Sequence, residues 1–98
     1  MEEANLRKAN LRQAYMYQAN LEEAALEEAD LERALLNGAT LWNANLKGAN
    51  LQLAFLQKAD LEEAILDGVQ LEGARCDADT VWPDGFDWRA AGVILEDN

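Results

Sequence analysis

Apolar residues recur along this chain with a period of five. From Ala4 to Ala74 every fifth position is alanine, with Val69 the one substitute. Two residues after each comes a leucine, except that Met16 and Cys76 occupy two of the slots. The result is fifteen consecutive units over residues 4–78. A helix of this period would advance 140° per unit and scatter its leucines around the cylinder instead of forming a stripe. A single long strand fails as well, because an odd period turns every second leucine to the opposite face. The pattern works if each unit is a very short extended segment followed by a corner. Alanine and leucine then point inward, the residue between them points outward, and the last two residues bend the chain. Gly38, Gly48, Gly68 and Gly73 all fall on the fifth, corner position, where a positive φ is expected. Repetition on this scale predicts a solenoid whose units bury their apolar side only by stacking on one another.

Ala9-Asn10-Leu11-Arg12-Gln13 and Ala59-Asp60-Leu61-Glu62-Glu63 match the A(D/N)LXX pattern, and on these units the sequence resembles the pentapeptide-repeat family. The resemblance spans about three quarters of the chain. It implies an all-β fold, a right-handed quadrilateral β-helix with one unit per side and about four coils, with alanine and leucine filling the interior. At roughly 4.8 Å between stacked strands the rod would stand ~18 Å tall. Residues 1–78 are expected to form this helix and residues 79–98 a C-terminal capping segment.

With four units per coil, residues twenty apart stack into outward columns. The column Arg7, Glu27, Lys47, Asp67 alternates in sign and reads as register control. In the column Asn10, Asp30, Asn50, Gln70, the short polar side chains are placed to hydrogen-bond nearby backbone. A third column breaks the polar rule: Tyr15, Leu35, Phe55 and Arg75, with Tyr17 beside Tyr15, form an apolar strip on a wet surface. Such a strip usually marks something that covers it. The chain's own tail, a second copy and a protein partner all fit. On the fourth face Trp42 stands in a corner column between Glu22 and Glu62, with Trp82 in line to follow; contact with a partner and packing against the tail both fit Trp42.

The repeat ends after Ala78. Pro83-Asp84-Gly85 signals a turn, and Val81 and Phe86 still fall on the five-residue count. Trp82, Phe86 and Trp88 suit a plug on the open end of the leucine column, and Val93-Ile94-Leu95 an extended or helical cover, since uncapped solenoid edges template aggregation. Before the first unit stand only Met1-Glu2-Glu3, so Leu6, Leu11, Met16 and Leu21 are expected to lie open. Self-association is expected through that N-terminal coil or through the aromatic face.

Composition narrows the chemistry. With no serine, no histidine and a lone Cys76, neither a Ser/His/Asp or Cys/His nucleophilic centre nor a Cys/His zinc site can be assembled in one chain. The glutamate pairs Glu22-Glu23, Glu27-Glu28 and Glu62-Glu63 sit at corner positions and read as solvated, not as an acid/base pair or a Ca²⁺ site. No catalytic residue, cofactor or metal is expected, and the chain reads as a non-catalytic structural or interaction module.

Nineteen acidic against eight basic residues give a net charge of −11, which disfavours direct binding to nucleic acid or to an anionic membrane. No apolar run is long enough to span a bilayer, and the single cysteine fits a reducing cytoplasm. The resemblance adds an alternative, because some members of that family mimic duplex DNA and bind DNA gyrase. Duplex DNA carries a charge per ~1.7 Å, so a ~18 Å rod would need ~10 ordered charges. Residues 1–78 hold 14 acidic and 7 basic side chains, a net −7 with one column alternating in sign.

Overall fold

Backbone hydrogen bonds tie each five-residue unit to the units twenty residues before and after it. A computed structural model describes residues 2–96. In the unit 44–48, Ala44 N–H closes the preceding corner on Leu41 O at 3.0 Å. Asn45 N–H reaches back to Ala24 O at 3.0 Å, while Leu46 and Gly48 N–H reach forward to Ile65 O and Asp67 O, both at 2.9 Å. That leaves Lys47 N–H, which bonds the Asn45 Oδ1 at 3.1 Å. All five donors are satisfied, as buried backbone requires. Asn5, Asn10, Asn20, Asp30, Asn50 and Asp60 serve the following corner in the same way as Asn45.

The pairing runs the length of the repeat. Parallel bridges join residues twenty apart, from Asn5↔Ala25 to Phe55↔Arg75. Each contact is one residue long, so the extended segments are shorter than ordinary strands. Two strands are longer, β1 (Arg75–Cys76) and β2 (Ile94–Leu95), and they pair in parallel. Inside the coils lies a column of leucines, with Leu21, Leu26, Leu31, Leu36, Leu41, Leu46, Leu51, Leu56 and Leu61 fully buried and the alanines between them. At roughly 2 kcal/mol per buried leucine, this column is the main source of stability.

The corner requirement goes beyond the four glycines. Fifteen successive fifth positions, Glu3 through Gly73, have φ between 56° and 76°, and eleven of them are not glycine. None of the eleven is β-branched, the type for which a left-handed backbone is hardest to adopt.

Three expectations are corrected at the ends. Val81 does not keep the five-residue count: it bridges Asp60, twenty-one residues away, and so occupies an outward slot. The cause is the Asp77–Thr80 turn. Lys58 N–H, which in register would bond a backbone carbonyl, instead finds the Asp77 side chain at 3.0 Å, and Thr80 Oγ1 donates to Leu56 O at 2.8 Å. One residue is thereby inserted, and Phe86 also leaves the count. Trp82 accordingly leaves the Trp42 column and stacks with Phe86 at 5.5 Å and Trp88 at 6.3 Å, packed against the core. At the other end, Met16 and Leu21 are buried, so of the four large inward residues of the first coil Leu6 and Leu11 alone are partly open.

The left-handed corner gives a direct test. Gln13 sits at φ 61° on an exposed corner. Relief of a left-handed residue is offset by the unfolded-state entropy of glycine, so Gln13→Gly should raise the urea-unfolding free energy by up to ~1 kcal/mol. Gln13→Val should lower it by ~1–2 kcal/mol. Equal stability of the two variants would contradict the corner assignment.

Candidate interaction surface

Because alanine and leucine take every inward slot, the outward positions are free of core duties. On the third face the outward column is Tyr15, Leu35, Phe55 and Arg75, spaced by parallel pairing. Tyr15 is 83% and Tyr17 58% exposed, and their rings stack with centroids 6.2 Å apart. Leu35 and Phe55 are half-buried between their neighbours on the ladder. The Arg75 guanidinium lies over the Phe55 ring, 5.7 Å from its centroid. Exposed Leu53 borders the strip from the preceding corner.

The tail extends this face without covering it. After the aromatic plug, the chain turns at residues 88–92, buries Val93 and lays β2 beside β1, with Ile94 opposite Arg75. Ile94, 47% exposed, therefore becomes a fifth rung of the apolar column. Glu96 pins the new rung by accepting from Arg75 Nη1 and from Gln57 Nε2, the latter at 3.0 Å. Gln57 in turn accepts from Asn37 Nδ2 at 2.8 Å, so a ladder of amides borders the strip. Sequence reasoning missed Ile94 because its pairing skips across the plug.

Trp42, the remaining surface candidate, is 37% exposed and stands apart from the strip on the corner between the fourth and first faces. Its column is rich in carboxylates. Glu2, Glu3, Glu22, Glu23, Glu62 and Glu63 share that corner with Trp42 and Asn43, without a cation. The other three corners each balance. Arg7, Lys8 and Lys47 match Glu27, Glu28 and Asp67; Arg12 and Arg33 match Glu32 and Glu72; Lys58 matches Asp77. The rod's net negative charge is thus gathered along one edge, which the twenty-residue spacing reveals and the glutamate pairs taken singly do not.

Contacts follow the same division. Arg7 meets Glu27 at 3.7 Å, Lys8 meets Glu28 at 3.9 Å, and Arg12 meets Asp30 at 3.6 Å and Glu32 at 3.4 Å, tying the first coil to the second. Within the alternating column, Arg7–Glu27 is the one closed ion pair among the described residues. Such exposed pairs contribute only tenths of a kcal/mol each. On the acidic edge, Glu23 holds the Glu3 carboxyl above its ordinary 4.5, first through a side-chain hydrogen bond and then through like-charge repulsion, with Glu2 adding to it.

The chemistry offered is recognition. Open grooves of about 530 Å³ and 550 Å³ run over the first and third corners, the first floored by Gly48 and Gly68, the second lined by Tyr17, Asn37, Gln57 and Lys58. Among the described residues no cluster of carboxylate or thiol groups is arranged to hold a metal. Cys76 is a free thiol at the base of the core, its pKa raised by burial.

A family model of pentapeptide repeats matches residues 1–33, 14–52 and 43–75, in eight copies. No curated protein matches the sequence. Among solved structures, the chain is similar to a pentapeptide repeat protein from Nostoc Pcc 7120, at 36% identity over 97% of this chain and 83% of that one, with a TM-score of 0.74. It is also similar to a pentapeptide repeat protein from the Arabidopsis thaliana thylakoid lumen, at 25% identity over 94% of this chain and 61% of that one, with a TM-score of 0.68.

The stacked carboxylates predict a pH effect. A carboxyl whose pKa is higher folded than unfolded binds its proton more tightly in the native state, so its contribution is lost as pH rises through the folded value. From just above pH 4.5 upward, the wild type should lose stability relative to Glu23→Gln in urea titrations, because the variant removes the stacked carboxylate and leaves only Glu2 to repel Glu3. Parallel pH profiles would show that the pair does not interact.

Proposed function

We propose that this chain, which belongs to the pentapeptide-repeat family, is a non-catalytic interaction module whose recognition surface is the apolar third face. Its coil is right-handed and four-sided, one unit to a side, with about four coils closed by the C-terminal plug. The observation that carries the reading is the exposure of Tyr15 and Tyr17 at the head of a strip that runs through Leu35 and Phe55 and resumes at Ile94 beyond Arg75, on a body whose other outward columns are largely polar. Rings and aliphatic side chains held on a rigid ladder lose little conformational freedom on binding, which favours recognition. The partner is another protein or a second copy, and the partly open Leu6 and Leu11 of the first coil form a secondary contact surface. The free buried thiol of Cys76 suits a reducing compartment, and the cytoplasm is the proposed location.

A second reading, a duplex-DNA mimic that binds gyrase, draws on the six glutamates of the acidic edge. That edge is interrupted at its middle rung by Trp42 and Asn43, and the other corners are neutral. A mimic of DNA needs ordered charge along the whole rod, so the interaction module is the better reading.

Two measurements decide between them. Wild-type protein should self-associate or retain a protein from host extract, and Phe55→Glu should abolish whichever is seen while leaving the circular dichroism spectrum unchanged. Persistence of binding in Phe55→Glu, or no association of either kind, would remove the third face as the recognition surface. Inhibition of gyrase supercoiling by the wild type would instead favour the mimic; no effect at large protein excess is expected.

A further inference from the structure

We infer that the occupant of the third face is the third face of a second copy, with the two rods antiparallel about a two-fold axis that runs along the strands. The inference rests on the reading of this face as the recognition surface and names what binds there. The tail is not the occupant, because it leaves over the end of the coil and returns only to add Ile94 to the strip.

Charge selects a second copy's approach. A molecule of net charge −11 repels its like, but six of those charges lie on the corner between the fourth and first faces and four more belong to residues 79–98, beyond the repeat. The third face is bordered by two corners of zero net charge and lies away from that edge. Two copies meeting there keep both acidic edges at the outside of the pair, where solvent and salt screen them.

Orientation follows from the column itself. With rods parallel, each outward residue meets its own copy, and Arg75 is driven onto Arg75. With rods antiparallel, the order Tyr15, Leu35, Phe55, Arg75 is read against its reverse. Leu35 then packs on the second copy's Phe55, and each Arg75 guanidinium comes over the second copy's Tyr15, whose ring is otherwise open to solvent. Arg75 already presents its guanidinium to an aromatic face at Phe55. Each Arg75, already paired with Glu96, thereby meets a ring instead of a second Arg75–Glu96 pair. On the rim, Asn37 meets the second copy's Gln57, an amide pair of the kind already made between rungs within one chain.

Area sets the strength. The body measures 32 × 24 × 21 Å, so one face buries on the order of 500 Å² per copy, at the lower limit for a specific interface. The dimer is therefore weak and concentration-dependent.

Sedimentation equilibrium from micromolar to millimolar protein should show the wild type passing from monomer to dimer. Phe55→Glu should remain monomeric throughout. Orientation is read by mixing a Tyr15→Cys chain with an Arg75→Cys chain under mild oxidation: the mixed disulfide dimer is expected in several-fold excess over either like pair. Ile94→Cys, one rung further on, replaces Arg75→Cys if loss of the Glu96 pair unfolds the tail. A Tyr15→Cys chain that cross-links mainly to itself would overturn the antiparallel arrangement. A wild type that stays monomeric across the range would overturn the dimer. In that case, retention of another protein that Phe55→Glu abolishes would leave the recognition surface standing and sink only the second copy as its occupant.

Discussion

Everything in this fold depends on the rung-to-rung ladder of backbone hydrogen bonds, which closes only if each coil has the same number of residues as the next. Each bond contributes about 1 kcal/mol net, but leaving one unmade in a buried wall costs more. Equal coils fix the width of the interior, and the interior then admits alanine and leucine and little else. The same closure obliges the chain to turn a corner every five residues, which places a left-handed residue at fifteen successive fifth positions. Where the count becomes twenty-one, at Asp60↔Val81, the regular coil ends and a separately built plug takes over.

How much of this was legible in the sequence follows from which features repeat. The period exposed the inward slots, and the outward columns placed Tyr15, Leu35 and Phe55 on one face. The corner was only partly visible: four glycines marked it, whereas Lys58, Leu53 and the other non-glycine residues there carry no such mark. The slip at Asp77 was hidden because it substitutes a side-chain acceptor for a backbone one, a change that composition does not record. Burial of Met16 and Leu21 was missed because the first coil is covered from the side of the second, so stacking shields its later units before any cap is needed. Ile94 was missed because its partner lies across an aperiodic plug.

The acidic edge shows a different kind of limit. Four of its glutamates, Glu22-Glu23 and Glu62-Glu63, were noticed, yet as pairs along the chain they looked like ordinary solvated corners, and Glu2-Glu3 were counted only as the residues before the first unit. Their meaning appears only when six of them are stacked on one edge and the remaining corners are seen to balance. Net charge alone therefore misdescribes the molecule. A charge of −11 spread evenly would make every approach by a like molecule costly, whereas the observed segregation leaves the third face nearly free of that cost.

A solenoid makes such segregation easy, because each outward residue answers to its column neighbours and not to the core. In a compact domain an exposed aromatic strip would compete with the core during folding. Here the apolar slots inside are filled by local stacking, and the strip is supported by the same hydrogen bonds whatever side chains it bears. The width of one face, a single outward residue flanked by two corners on each rung, then limits how much area any partner can bury. Recognition by one side of this rod is inherently modest in strength, and its selectivity must come from the order of residues along the column: rings at one end, a guanidinium near the other, and aliphatic and aromatic packing between.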